Sequence, residues 1–215
     1  MQLSYGHRLI IGFANKDLPR IKEYLQKRMI GGVILFSRNI ESPSQLRQLT
    51  KELRSAAGFN CIIAVDQEGG KVTRLTAAKG FNDFPTAESI GKTMTPQQAR
   101  ELYSKMATEL LKHGINLNLA PVADLKVSSD CPVTAKLERS FGHNPDTVIT
   151  YATAFIQAHK EAGVMTCIKH FPGHGSCSRD SHEGPADISH TWQQTELKPF
   201  KALAPLTDMI MPGHL

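Results

Sequence analysis

The chain is poor in the features that mark membrane, secreted and nucleic-acid-binding proteins. No hydrophobic run approaches the roughly 18 residues that cross a bilayer, and the stretch from Met1 to Arg8 lacks the apolar core of a signal peptide. Cysteine is scarce. The four present, Cys61, Cys131, Cys167 and Cys177, form no CxxC pair and no zinc-ribbon spacing. That usage fits a reducing compartment, so the cytoplasm is the expected location unless an upstream leader has been removed. The net charge of +5 and pI near 9.0 come from scattered lysines and arginines with acids between them. No block of five or six like charges occurs, and no basic stretch is interleaved with aromatics, which argues against nucleic acid as a partner. Two catalytic signatures are also missing: no GxGxxG follows the first apolar run, and no GxSxG occurs anywhere.

What is present is an alternation. Short, mostly apolar runs (residues 9–13, 33–36, 61–65, 115–122, 164–168 and 208–211), the first three without polar interruption, are separated by amphipathic or mixed segments. Uninterrupted apolar strands belong to sheets covered on both faces, which are parallel sheets flanked by helices. Helices are predicted over residues 18–29, 43–57, 96–113, 145–162 and 193–204. Their markers are leucine and isoleucine spacing, Ser42-Pro43 and Thr95-Pro96 starts, and Gly58 and Gly114 stops. Residues 71–94 and 126–145 are expected to be long connections. Six strands and five crossovers give an α/β fold, laid out either as a doubly wound open sheet or as a (β/α)8 TIM-type barrel. Polar, glycine-rich segments follow strands three to six, and a barrel gathers site residues from many strand ends in that way. The barrel is favoured; with six βα units of eight it would be incomplete.

The densest of those segments is Lys169-His170-Phe171-Pro172-Gly173-His174-Gly175, followed by Asp180-Ser181-His182. A lysine directly after an apolar run needs an anionic or hydroxyl-rich partner. Asp66 and Glu68 follow strand three with Arg74 nearby, Asp124 follows strand four, and His214 follows strand six. Pro172 and Gly173 prevent His170 and His174 from sharing a helical zinc face, so no metal is expected. Asp180, two residues from His182, is close enough to orient its ring and favour the protonated form, which makes a usable general acid.

These motifs resemble glycoside hydrolase family 3, and most of all its bacterial β-N-acetylglucosaminidase branch. The resemblance rests on Gly31–Phe36, Asp66-Gln67-Glu68-Gly69-Gly70, Asn118–Asp124, Arg139-Ser140-Phe141-Gly142, the KHFPGHG segment and the following DSH. It runs in order from about Leu9 to His214. It implies that Asp66 binds sugar hydroxyls with Arg74 beside it, and that Arg139, Lys169 and His170 hold further hydroxyls. His182, held by Asp180, would be the general acid/base. The implied substrate is a terminal β-linked N-acetylglucosamine from peptidoglycan fragments or chitin-derived sugars, with no cofactor. The family reaction is retaining, with an aspartate at the end of strand seven as nucleophile. Residues 1–215 are therefore expected to form one barrel domain that stops before the nucleophile and does not turn over glycosides by itself. The alternatives carried forward are a family 3 β-glucosidase and a non-catalytic sugar-binding derivative of the barrel.

Overall fold

A computed structural model describes residues 5–177 and 187–214. Six strands, β1 (Ile10–Gly12), β2 (Gly32–Leu35), β3 (Ile62–Val65), β4 (Leu117–Asn118), β5 (Met165–Phe171) and β6 (Met209–Pro212), form one sheet in chain order. Every neighbouring pair is parallel. A sheet whose strands follow chain order, each returning through a helix, curls into part of an α/β barrel; a doubly wound sheet would reverse its order midway.

The helices are α1 (Leu18–Gln26), α2 (Pro43–Ala57), α3 (Ala87–Thr93), α4 (Pro96–Lys112), α5 (Pro145–Ala162) and α6 (Leu197–Leu203). Their ends are chemically specified. Ser42 Oγ and Thr95 Oγ1 accept from Gln45 N and Gln98 N, satisfying amides that the first helical turn leaves unpaired. Gly58 closes α2 in the left-handed region at φ 64°, where a side chain would be strained.

Side chains alternate across the sheet. Val33, Leu35, Ile63 and Val65 pack outward with Leu25, Leu46, Leu49 and Leu53 of α1 and α2. Ile168 joins Phe155, Tyr103 and Phe200 under α4, α5 and α6. Ala64, Leu117 and Cys167 face the other way, packed with Ile10, Ile34, Met165 and Met209 in the barrel interior. Lys169, two residues beyond Cys167, falls on this interior side at the carboxyl end of β5.

Three elements depart from the sequence expectation. Residues 87–93 form the short helix α3 inside what was expected to be loop, started by Thr86 Oγ1 accepting from Ser89 N. β5 continues through Phe171, so Lys169 and His170 lie in the strand, with a register shift between Lys169 and Phe171. β4 shrinks to two residues because its extension runs through Pro121, which has no amide to donate. The backbone there still follows β5, with Cys167 N donating to Ala120 O (3.1 Å) and Ala123 N to Lys169 O (2.8 Å). Cys61 and Cys167 are buried as expected. No helix among the described residues is long and apolar enough to cross a membrane.

Candidate active site

The carboxyl ends of β3, β5 and β6 surround a cleft of about 340 Å³, lined by Phe36, Asp66, Arg74, Arg139, Lys169, His170, His174, Met211 and His214 among others. Two other clefts of similar volume run along α4, lined by surface residues such as Gln98, Lys105 and Glu109. They gather no buried ionised groups, so the barrel-end cleft is the candidate site.

Lys169 organises its floor. Although only 2% exposed, it has two carboxylate partners: its Nζ donates to Asp66 Oδ1 at 2.8 Å and to Glu68 Oε1 at 2.6 Å. Arg139 binds Glu68 through two nearly parallel bonds, Nε to Oε2 and Nη2 to Oε1, each 2.8 Å, while Nη1 donates to Val133 O. Arg74 approaches the other oxygen of Asp66, at 3.5 Å. Two carboxylates thus lie among three cations in a poorly solvated space, where charge-assisted bonds are strong and an unpaired charge is costly. Burial alone pushes the Glu68 carboxyl up, but Lys169 and Arg139 outweigh it and bring it down to about 2.

His170 is set from behind. Asp124, fully buried, accepts His170 Nδ1 at 2.7 Å, with its other oxygen taking the backbone amides of His170 and His174. An ionised Asp124 can only accept, so Nδ1 carries the proton and Nε2 is left as the acceptor. That tautomer matches the donor facing it, Arg139 Nη2 at 3.3 Å. Burial lowers the His170 pKa more than Asp124 raises it, and Lys169 and Arg139 add to the lowering. Asp124 moves down as well: its amide bonds and His170 overcome its burial. The two directions agree on a neutral, hydrogen-bonded imidazole beside an ionised carboxylate near neutral pH.

The loop after β3 takes its shape from Gln67. Gln67 Oε1 accepts from Arg74 N (2.9 Å) and Leu75 N (3.1 Å), and its own backbone is clamped at both N and O by the Asn118 amide. Asn118 in turn reaches the buried His159 on α5. Asp66, Glu68 and Arg74 therefore hang from a hydrogen-bonded frame that spans two strands and a helix. After β5, Glu196 anchors the next loop by accepting from Gly175 N at 3.1 Å and Gln193 N at 3.0 Å. A side chain at Gly175 would run into Leu125 O, 1.7 Å from an ideal Cβ, so the two loops can close on each other only at a glycine.

Asp66, Arg74, Arg139, Lys169 and His170 meet at this one cleft, and His214 lines it too. Asp180 and His182 fall outside the described residues. Sequence reasoning noted Glu68 and Asp124 only as charges at strand ends. Glu68 is the anion shared by Lys169 and Arg139, and Asp124 fixes the His170 tautomer. The signal was there in both cases: an acid within three residues of the end of an apolar run.

The sequence matches the glycosyl hydrolase family 3 N terminal domain over residues 6–215. It is 42% identical over 204 residues to a beta-hexosaminidase of Tolumonas auensis, covering 90% of this chain and 58% of that protein. It is 37% identical to one from Idiomarina loihiensis, covering 97% of this chain and 64% of the relative. Among solved structures, a family 3 beta-N-acetylglucosaminidase from Paenibacillus superposes with a TM-score of 0.88 at 31% identity, over all of this chain and 42% of that one. NagZ of Neisseria gonorrhoeae, in complex with N-trifluoroacetyl-D-glucosamine, superposes at 0.82 with 32% identity, over 96% of this chain and 63% of that one. The chain thus spans about 58% of the length of the Tolumonas relative. With its ordered parallel strands, its charged cleft at their carboxyl ends and this match over nearly every residue, the chain belongs to glycoside hydrolase family 3, through that family's N-terminal domain.

Proposed function

We propose that this chain carries the sugar-holding part and the acid/base loop of a retaining β-N-acetylglucosaminidase. The observation that supports this most is the cluster of Asp66, Arg74, Arg139, Lys169 and His170 on a single cleft. A pyranose ring presents several hydroxyls that each donate and accept. Asp66 offers acceptor oxygens held in place by Lys169 and Arg74, while Arg139 and Lys169 offer donors held by Glu68. His170 Nε2, kept unprotonated by the bond from Nδ1 to Asp124, becomes a further acceptor when a sugar hydroxyl displaces the long bond from Arg139 Nη2. Rigid, pre-paired groups of this kind spend little on reorganisation when a sugar replaces water.

In this reading Asp180 holds His182, and His182 protonates the leaving oxygen and later activates water. The attacking carboxylate is none of the acids named above. Asp66 and Glu68 are committed to Lys169, Asp124 is buried behind His170, and Asp208 sits at the opposite end of β6, accepting from Thr166 N. It belongs to a strand beyond β6, and residues 1–215 form a single barrel domain without it. The substrate is a terminal β-linked N-acetylglucosamine in peptidoglycan fragments or related glycosides. The names of the relatives favour this over a β-glucosidase. A non-catalytic sugar-binding role would have no use for Asp180 and His182.

The test compares 4-nitrophenyl N-acetyl-β-glucosaminide with the matching glucoside, using a protein that joins this chain to the nucleophile-bearing strand. The N-acetyl substrate should be strongly preferred. His182→Ala should cut kcat by about 100-fold or more, most severely with poor leaving groups. Equal rates on both sugars, an unchanged rate in the variant, or clear turnover by residues 1–215 without the further strand would each overturn the assignment.

A further inference from the structure

Against the charged cleft, and sharing His174 with its lining, lies a second cluster whose two thiols the sugar chemistry does not use. Cys131 comes from the β4–α5 connection, and His174 and Cys177 from the segment after β5. All three are buried, and their ligand atoms lie within 4.8 Å of one another. The two sulfurs are 2.7 Å apart although 46 residues separate them in sequence, and His174 Nδ1 is 3.1 Å from Cys177 Sγ. The Cys131 thiol also faces His174 O at 3.3 Å. Val133, Ala135 and Ile188 pack around the pair.

Two thiols and an imidazole converging in a dry pocket are a soft donor set, the kind that holds zinc in structural sites. A fourth group is at hand. Thr134 Oγ1 is fully buried, bonds no nitrogen or oxygen among the described residues, and faces the Cys131 thiol. Ser176 Oγ, in the turn between His174 and Cys177, is likewise buried without a partner among them. Such orphaned polar groups are rare unless an ion or water completes them. We propose that Cys131, Cys177 and His174 form a zinc-type binding site that clamps the β4–α5 connection to the segment following β5. A tetrahedral zinc with Zn–S bonds of about 2.3 Å sets its sulfurs about 3.7 Å apart, so each thiol would move outward by about half an ångström. A disulfide would account for the two sulfurs but would leave the imidazole and the Thr134 hydroxyl unexplained. Spacing rules miss this set because its ligands lie on two connections 43 residues apart.

The site shares the KHFPGHG segment with the proposed sugar site, but its test does not depend on glycoside turnover. The full chain, reduced and stripped of metal under anaerobic conditions, is titrated with Co²⁺ and then Zn²⁺. One equivalent of Co²⁺ should give thiolate charge-transfer absorption in the near ultraviolet and strong visible bands of tetrahedral cobalt, and Zn²⁺ should abolish both. Cys131→Ser and Cys177→Ser should each weaken binding by more than about 100-fold. Because loss of either buried thiol can also impair folding, Thr134→Cys serves as the converse test, and a third thiolate should tighten zinc binding by at least about tenfold. Three results would overturn the proposal: no cobalt bands while both thiols are free, no tightening in Thr134→Cys, or a Cys131–Cys177 disulfide in protein isolated without reductant.

Discussion

At the scale of single residues, Lys169 carries the heaviest consequence. Its ammonium is the counter-ion of both Asp66 and Glu68, so Lys169→Met would leave Glu68 to Arg139 and Asp66 to a distant Arg74. Breaking a buried ion network by removing one partner typically costs about 3–5 kcal/mol. The variant should therefore melt roughly ten degrees lower by calorimetry. A drop of a degree or two would mean that water reaches the floor of the cleft. Acid should loosen the molecule in two stages. His159 is fully buried, stacked on Phe155, and burial brings its pKa down to about 4 from 6.5, so it stays neutral when folded. The unfolded chain takes up that proton first, so the stability is present above pH 6.5 and is lost as pH falls toward 4. Glu68, held down to about 2 from 4.5, contributes above pH 4.5 and loses its share as pH falls toward 2. Each is worth up to about 3 kcal/mol. Urea midpoints measured against pH should fall in these two windows, and His159→Gln should remove the upper one.

At the scale of elements, the sequence announced best those pieces whose ends are chemically marked. α2 and α5 match their expected residues because Ser42-Pro43 and Asn144-Pro145 start them and Gly58 and Gly163 stop them. α3 escaped notice: at seven residues it is too short to show a period, and its Thr86 cap lies among glycines and prolines that suggest loop. β4 was misjudged because Pro121, legible within the run, was read as strand although it cannot donate to a ladder. The site residues on strand ends were legible, since ionised groups after apolar runs stand out. The Gln67–Asn118–His159 frame was not, because neutral polar residues inside apolar segments look like ordinary core until their partners are known. One prediction belongs here. Gly175→Ala would press a methyl into Leu125 O and displace the loop that Glu196 anchors. Sugar binding, followed by calorimetric titration with N-acetylglucosamine, should weaken at least tenfold while far-ultraviolet dichroism stays unchanged. Retention of binding would show that this loop can relax.

At the scale of the whole molecule, the sheet follows the chain from β1 to β6, and its two outer strands differ in kind. β1 is three residues long, whereas β6 carries Ile210 at 43% exposure. Among the described residues β6 pairs only with β5, and an apolar strand with one open side can recruit another chain. Residues 1–215 by themselves should therefore self-associate at micromolar concentration, as light scattering would register, and Ile210→Lys should suppress it. Persistence of the aggregates in that variant would place the sticky surface elsewhere.

Because the strands are laid down in chain order, a ribosome delivers each one beside a neighbour already made, yet the bond from Lys169 to Asp66 spans 103 residues. The early strands can line up while Asp66 and Glu68 are still bathed in water, and the cleft becomes a charged, dry space only once β5 emerges. Nascent chains arrested before Arg139 should thus hold a Glu68 that titrates like a free carboxylate, and those arrested well past Lys169 one that no longer does.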